Sequence, residues 1–545
     1  MMARVALTTF TLPPGDVYPG TPHVYQVYVP TTNDHAQPAP FMIFLDGPWI
    51  FVDRMQTPAI LDRLIAAGDL PPLIGIFVDP GVLPVLSEAT QQPRINRHVE
   101  YDSITDRFAR FLLDELIPAV GQDYPLSADP NDRGLAGISS GAVAAFVAAR
   151  ERPDQFRRVL SCIGTFVDMR GANVVPSWIR KTEPKTLRVF LQETVDDHDI
   201  VYGSWPLGNQ SMAATLAFAQ YDHTLIVGPG GHDLEHATSI LPDALRWLWR
   251  DYPASIAAAT SGPIFAHLLY PDQPWQQVGG SYASAVHPAA NKAGDVFFAD
   301  PVHNRISMTT ADGSVAVFTE SAGGVSAVTF GPDDRLYAVQ PARRRIVSYG
   351  AAGDEATVAV DIDAYDLVVT AAGVIYATDP VRRAIVAIDA EGRQRTVYDG
   401  GEIAAPTALA LSPDQAFLTV LDAQHTIGWS FPLARDGSLG NGQPFFRMEW
   451  SDQGNLGGVE GMAVDTLGEL YIPTALGITV STQSGRSREI IASPEPGPEP
   501  VSAVAFGGPA RDWLYATQNG TLFRRRIKRQ GAVPWEPVKP PMPQL

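Results

Sequence analysis

A single cysteine, Cys162, in 545 residues excludes an intramolecular disulfide and argues against a metal site built from thiolates. It lies in the run VLSCIG, where a buried core thiol is expected. Positive charge is also scarce: 40 Lys and Arg stand against 59 Asp and Glu, a net charge of −19. Such a surface attracts neither nucleic acid nor an anionic membrane, so both are set aside as partners. No apolar run is long enough to span a bilayer, and the opening MMARVALTTFTLPPGD lacks the apolar core of a signal peptide. Cytoplasmic residence is the resulting expectation. What the chain has is length, and 545 residues exceed one ordinary core, so two or more domains are expected.

From Phe41 to about Tyr252, short apolar runs alternate with helical patterns. The runs are FMIFLDG, LIGIFVDP, DRGLAGI, LRVFLQ and HTLIVGPGG. Between them, SITDRFARFLLDELIPAV places Phe108, Phe111, Leu112 and Leu116 on one face. Ser103 with Asp106 predicts a capping-box start for this helix, and Pro118 its end. Strand and helix in alternation predict a mostly parallel sheet covered on both faces, with sites at the carboxyl ends of the strands.

One of those ends carries GISSG, Gly137–Gly141. The pattern G-x-S-x-G puts a serine on a tight strand-to-helix turn, its hydroxyl lifted clear of the sheet. A serine hydroxyl becomes a useful nucleophile only when an imidazole takes its proton and a carboxylate fixes that imidazole. The two later strand ends supply both partners in order. ETVDDHD offers Asp197, then Asp199, then Asp196 as the acid, and GPGGHDLEH offers His232 as the base, with His236 one turn onward shaping the site. An oxyanion hole needs backbone N–H groups. Ser140 would supply one, and Gly47 or Trp49 the other, since Pro48 has no N–H. The competing readings are a helix-capping Ser139, a solvated acidic loop and a structural histidine. Arg97 and Glu100, in RHVEYD, are candidates for positioning substrate or for a solvated loop.

At Pro253–Pro263 the chain becomes small and unpatterned, and a recurrence follows. GDVFFADPVHNRIS, DRLYAVQPARRRIVSY, GVIYATDPVRRAIVAID, QAFLTVLDAQHTIGWSF, GELYIPTALGITVS and DWLYATQNGTLFRRR begin near residues 294, 334, 373, 415, 468 and 512. Six units of roughly 40 residues with several short strands each predict a six-bladed β-propeller. The expected organisation is therefore an α/β-hydrolase domain at 1–252, a linker at 253–263 and an all-β propeller at 264–545.

The motifs FLDG, IGIFVDPG, GISSGAVAAF, RVFLQE and GGHDLEH, in that order, resemble the enterochelin-esterase-like branch of the α/β-hydrolases. The resemblance implies carboxylic ester hydrolysis, with Ser139 as nucleophile and His232 as base, and favours Asp197 as the acid. YDLVVTAAGVIYATDP, PTALALSPDQAFLTVLD and EGMAVDTLGELYIPTALGI are similar to the gluconolactonase/SMP-30 propellers. That family holds a divalent, calcium-like cation on glutamate, asparagine and aspartate ligands. Here those positions read Tyr365, Thr407 and Glu460, and the first glutamate falls in SYASAV, which has no carboxylate. The resemblance therefore implies a degenerate metal site, and no cofactor is expected.

The reading is a serine carboxylesterase acting on a small-molecule or carbohydrate ester, with a non-catalytic propeller. Its alternatives are a metal-dependent sugar lactonase in the propeller and a non-catalytic binding protein. The sequence leaves the oligomeric state open.

Overall fold

A computed structural model describes residues 7–32, 37–85, 91–258, 264–280, 282–310, 313–449, 459–497 and 499–543. They fall into two compact units, Met1–Arg180 with Pro184–Gly262 and Lys181–Glu183 with Pro263–Leu545. Of the expected linker at 253–263, residues 259–263 lie outside the described residues. The start of that segment is fixed to the first unit: Asn131 Nδ2 donates to the carbonyls of Pro253 and Ala254, and its Oδ1 accepts the Ile256 N–H.

The first unit is built on one eight-stranded sheet. Its strands are β1 (Leu7–Leu12), β2 (His23–Tyr28), β3 (Phe41–Leu45), β4 (Ile74–Val78), β5 (Arg133–Ile138), β6 (Arg158–Cys162), β7 (Arg188–Thr194) and β8 (Asp222–Gly228). In space they run β1-β2-β4-β3-β5-β6-β7-β8. The β1–β2 and β2–β4 pairs are antiparallel, and every later pair is parallel. Strands β3 to β7 are buried along their whole length, as continuous apolar runs require when helices cover both faces. The principal core joins Met42, Phe44, Phe77, Leu160, Phe190 and Leu248 with their neighbours. Helix α1 is Thr57–Ala66, α2 Ser140–Glu151, α3 Trp205–Phe218 and α4 Glu235–Trp249. This is the α/β-hydrolase arrangement that the alternation predicts. Strands β1, β2 and β6 and helix α1 carry no pattern strong enough to be read beforehand.

The helix expected from Ser103 differs at both ends. It begins at Arg107 after Asp106, which makes no side-chain cap, and the Ser103 hydroxyl donates back to the Val99 carbonyl instead. Nor does Pro118 end it. A wide π-helical stretch at Phe111–Leu116 leads into Ile117–Val120, so the proline falls in the first turn of the new segment, where its missing N–H costs nothing.

The second unit contains six four-stranded antiparallel sheets. The first five are consecutive in sequence and span residues 286–319, 327–360, 367–399, 406–447 and 463–491. The sixth takes its three inner strands from Val501–Gly507, Trp513–Gln518 and Thr521–Arg526. Its outer strand, Gln276–Gln277, comes from the beginning of the unit, so the ring is closed by a strand from each end. A buried polar residue recurs at one position of the blades. Asp300, Gln340, Asp379 and Asp422 each end a second strand fully buried. Asp422 shows why: its carboxylate accepts the N–H groups of Ala404, Ala405 and Gln424 and pairs with His425. Backbone donors that leave a sheet at its edge need such an acceptor.

Candidate active site

Ser139 sits between β5 and α2 with φ 57° and ψ −120°, a strained conformation for a residue bearing a Cβ. The turn is possible because of its glycines. A Cβ on Gly137 would stand 2.0 Å from the Gly141 carbonyl oxygen. Strain and glycines together push the Ser139 hydroxyl out over the end of the sheet.

The loops after β7 and β8 bring two partners to that hydroxyl. His232 Nε2 lies 3.0 Å from Ser139 Oγ, and His232 Nδ1 lies 2.7 Å from Asp197 Oδ1. The Asp197 side chain has no exposure and that of His232 retains 19%. Asp196 and Asp199, the other acids considered, are exposed. Burial alone would raise the Asp197 carboxyl. Hydrogen bonds from His232, the Glu193 carboxyl and the His198 N–H outweigh it and hold the group below its ordinary value.

Several members of this site are invisible in the sequence. Thr165 Oγ1 lies 3.0 Å from Ser139 Oγ and also accepts a hydrogen bond from Trp205 Nε1. The His198 ring stacks on His232, centroids 4.4 Å apart, and Trp205 meets both rings edge-on. Glu193 is fully buried, accepts the Thr194 N–H at 2.7 Å and pairs with Asn209 Nδ2. Burial and the Asp197 carboxyl raise its pKa to about 9. The one signal for Glu193 in the sequence is an acid ending an otherwise apolar strand. Cys162 is buried on the neighbouring strand, its thiol pushed up to about 12 by burial and by Glu193, far from the range of a nucleophile.

Ser140 opens α2, so its amide is among the unpaired N–H groups of a helix N-terminus. Of the two candidates on the loop after β3, Trp49 gives its N–H to the Asp79 carboxylate. Arg97 holds this loop in place. Its Nε and Nη2 form a fork on the Asp46 carboxylate at 2.9 and 2.7 Å, and Nη2 reaches the Ile138 carbonyl at 3.2 Å. One side chain therefore ties the residue before Gly47 to the residue before Ser139. Tyr101 accepts the Asp46 N–H, and Asp102 is bonded to the Ser140 hydroxyl.

Two expectations for this region need correction. Glu100 is not a substrate contact: it is fully buried, bonded to His23, the Gly81 N–H and Asn96. A carboxylate satisfied in this way has no face left for a ligand. Arg97 is spent on Asp46 and Ile138 rather than presented to solvent. His236 Nδ1 meets Gln192 Nε2 at 3.0 Å, and its ring lies against Gly228 at the end of β8.

In the second unit, Tyr365, Thr407 and Glu460 stand at or just before the starts of the strands Leu367–Val369, Pro406–Leu411 and Ala463–Val464. His287 directly follows the SYASAV segment, of which Ser281 lies outside the described residues. His287 Nε2 is 2.8 Å from Asp366 Oδ1. The Asp366 carboxylate also accepts the N–H groups of Leu367 and Leu409. Thr407 Oγ1 and Glu460 Oε2 are buried without hydrogen-bond partners among the described residues.

Residues 18–234 match the Esterase family model, described as "Putative esterase", and residues 288–519 match the SMP-30/Gluconolactonase/LRE-like region. Over 243 residues the chain is 28% identical to the iron(III) enterobactin esterase of Dickeya dadantii, covering 41% of this chain and 51% of the relative. Over 274 residues it is 25% identical to the gluconolactonase of Zymomonas mobilis, covering 43% of this chain and 76% of the relative. The chain thus spans about half the length of the esterase it matches. The enterobactin esterase structure from Shigella flexneri is similar at 20% identity and a TM-score of 0.37, over 46% of this chain and 60% of that one. This likeness is too loose to add to the fold described above. No helix among the described residues is long and apolar enough to cross a membrane. The chain joins an α/β domain similar to the Esterase family to a six-bladed propeller similar to the SMP-30/gluconolactonase region.

Proposed function

We propose that the first unit is a serine carboxylic ester hydrolase acting on a small-molecule or carbohydrate ester. The observation that carries this reading is the unbroken hydrogen-bonded chain from Ser139 Oγ through His232 to Asp197. Ser139 Oγ attacks the ester carbonyl carbon while its proton passes to His232 Nε2. The carbonyl oxygen takes the negative charge between the amides of Ser140 and Gly47. Collapse breaks the bond to the alkoxy oxygen, which leaves as the alcohol carrying the proton from His232. A water molecule then repeats the sequence on the acyl-enzyme and releases the acid. Asp197 stabilises the imidazolium and fixes its tautomer throughout. The reaction draws nucleophile, base and electrostatic stabilisation from side chains and backbone, so no cofactor is proposed.

Exposed apolar side chains on the loops that carry Gly47 and Asp197 favour an ester with an apolar or aromatic part. Trp49, on the Gly47 loop, is 57% exposed, and Val201, beyond Asp197, is 90% exposed. The experiment that tests the proposal is labelling of the intact protein with a fluorophosphonate, followed by identification of the labelled peptide. Label on the peptide bearing Ser139 supports it; an unlabelled protein overturns it.

Arg97 gives a separate prediction. Arg97→Met leaves the Asp46 carboxylate, 1% exposed, without its charge partner. The expected cost is about 3–5 kcal/mol of stability. Displacement of the Gly47 amide should lower kcat on the order of 10²-fold. Urea unfolding and ester kinetics measure the two effects, and Arg97→Lys should recover the first better than the second, because only a guanidinium makes the fork.

We further infer that the propeller is not a lactonase. A calcium-like cation needs several free oxygen ligands, and the family's ligand positions offer a poor set here. Asp366 is engaged by His287 and two amides, and Tyr365 stands where the family has asparagine. Burial, moderated by His287 and Ser502, raises the Glu460 carboxyl above its ordinary value, which disfavours the charged form a cation would need. Glu460→Ala is expected to leave ester turnover unchanged in a p-nitrophenyl acetate assay; a loss of more than about tenfold would assign the propeller a part in the chemistry.

A further inference from the structure

The Asp197 carboxyl has two oxygens, and the triad accounts for one. Oδ1 accepts from His232 and from the His198 N–H at 2.6 Å. Oδ2 is buried, and no N–H or hydroxyl among the described residues reaches it. The one carboxyl hydrogen-bonded to Asp197 among the described residues is that of Glu193. Glu193 is itself fully buried, with its own oxygens taken by the Thr194 N–H and by Asn209. Asn209 is held in turn by the Gly164 and Trp205 carbonyls. Two carboxylates cannot face one another in such a place, because like charges in contact out of water repel by far more than a proton costs. One proton must lie between them. Asp197 has the stronger claim to the negative charge, since His232 stands against it and becomes cationic during the reaction.

We propose that Glu193 is carried as the neutral acid and donates its proton to Oδ2 of Asp197, which makes it a positioning residue of the catalytic triad. The inference rests on the proposed esterase reading only for its kinetic consequence; the proton itself is a property of the folded protein. With both oxygens of Asp197 held, the carboxylate plane cannot rotate away from His232 Nδ1. The titratable groups facing Glu193 are Asp197 and the Cys162 thiol on the adjacent strand, with His232 beyond Asp197. Ionisation of Glu193 would put a second negative charge against Asp197 and release its grip. Its pKa near 9 places that event on the alkaline side of neutrality.

Three readouts test the assignment. In infrared spectra of the full-length protein at pH 7.5, wild type should show a protonated-carboxyl stretch that Glu193→Gln removes. In ester kinetics, wild-type kcat should fall as the pH rises through about 9, and that limb should vanish in Glu193→Gln, which keeps a neutral donor at every pH. Glu193→Leu, which keeps none, should lose about ten- to a hundredfold in kcat at pH 7.5, and Glu193→Gln should recover most of it. An infrared band unchanged by Glu193→Gln overturns the proposal, as does an alkaline limb shared by both proteins. If Ser139→Ala still hydrolyses ester, the esterase reading fails, and the infrared result continues to decide the protonation of Glu193.

Discussion

Replacing Ser139 by alanine is expected to lower kcat for short p-nitrophenyl esters by roughly 10⁶-fold, with KM little changed. The size follows from the architecture. Ser139 Oγ is the hydroxyl bonded to His232 Nε2, whereas the neighbouring Thr165 hydroxyl is bonded to Ser139 and Trp205 and to no imidazole among the described residues. What survives should come from the oxyanion amides and substrate binding, which the substitution leaves in place. Alanine also suits the site sterically, since the strained φ of 57° is already imposed on a residue with a Cβ. Circular dichroism and thermal unfolding should therefore match wild type while turnover disappears. Turnover within tenfold of wild type would remove Ser139 from the chemistry and with it the esterase reading.

Asp197→Asn should cost about 10⁴-fold in kcat, some 5.4 kcal/mol of transition-state stabilisation. The amide would present either an N–H to His232 Nδ1, forcing the proton onto Nε2 where it blocks the Ser139 hydroxyl, or a neutral carbonyl with little power to stabilise the imidazolium. Asp196→Asn and Asp199→Asn serve as internal controls. Both residues lie in the same exposed loop, so both variants should stay within a few-fold of wild type. A large loss in Asp199→Asn with none in Asp197→Asn would reassign the acid.

The effect of pH on stability follows from the same cluster. Glu193 has a folded-state pKa raised above its ordinary value. The folded protein therefore holds a proton that the unfolded chain releases from the carboxylate range upward, and this group's contribution to stability falls as the pH rises toward 9. A buried neutral acid beside a buried carboxylate is thus a standing cost to the fold. Its retention at the triad accords with a part in positioning Asp197.

Both folds were legible because each rests on a repeated local pattern. Continuous apolar runs such as FMIFL and IGIFV have few ways to be satisfied other than as central parallel strands. The polar residue that closes the second strand of a blade recurs because each blade meets the same edge problem. The nucleophile turn was legible for a similar reason, since its glycines are demanded by contacts within five residues. The short pieces failed: the capping box at Ser103 competed with a local hydroxyl-to-carbonyl bond, and Pro118 was accommodated by a π turn that no periodicity announces.

The amino-acid sequence by itself determined the order of the residues proposed to carry the chemistry. Serine, acid and histidine follow the ends of β5, β7 and β8 in that order, and no rearrangement of side chains could alter it. Only the tertiary structure decided which groups those residues meet. Glu100 and Arg97 read alike as charges near a pocket, yet one is sealed under His23 and the other braces Asp46 against the nucleophile turn. Asp197 and Asp199 differ by two positions, and burial against Glu193 separates them. Glu193 itself reads as the end of a strand. Charge, hydrogen bonding and protonation depend on what stands within a few ångströms, and in a parallel sheet those neighbours come from strands and loops far apart in the chain.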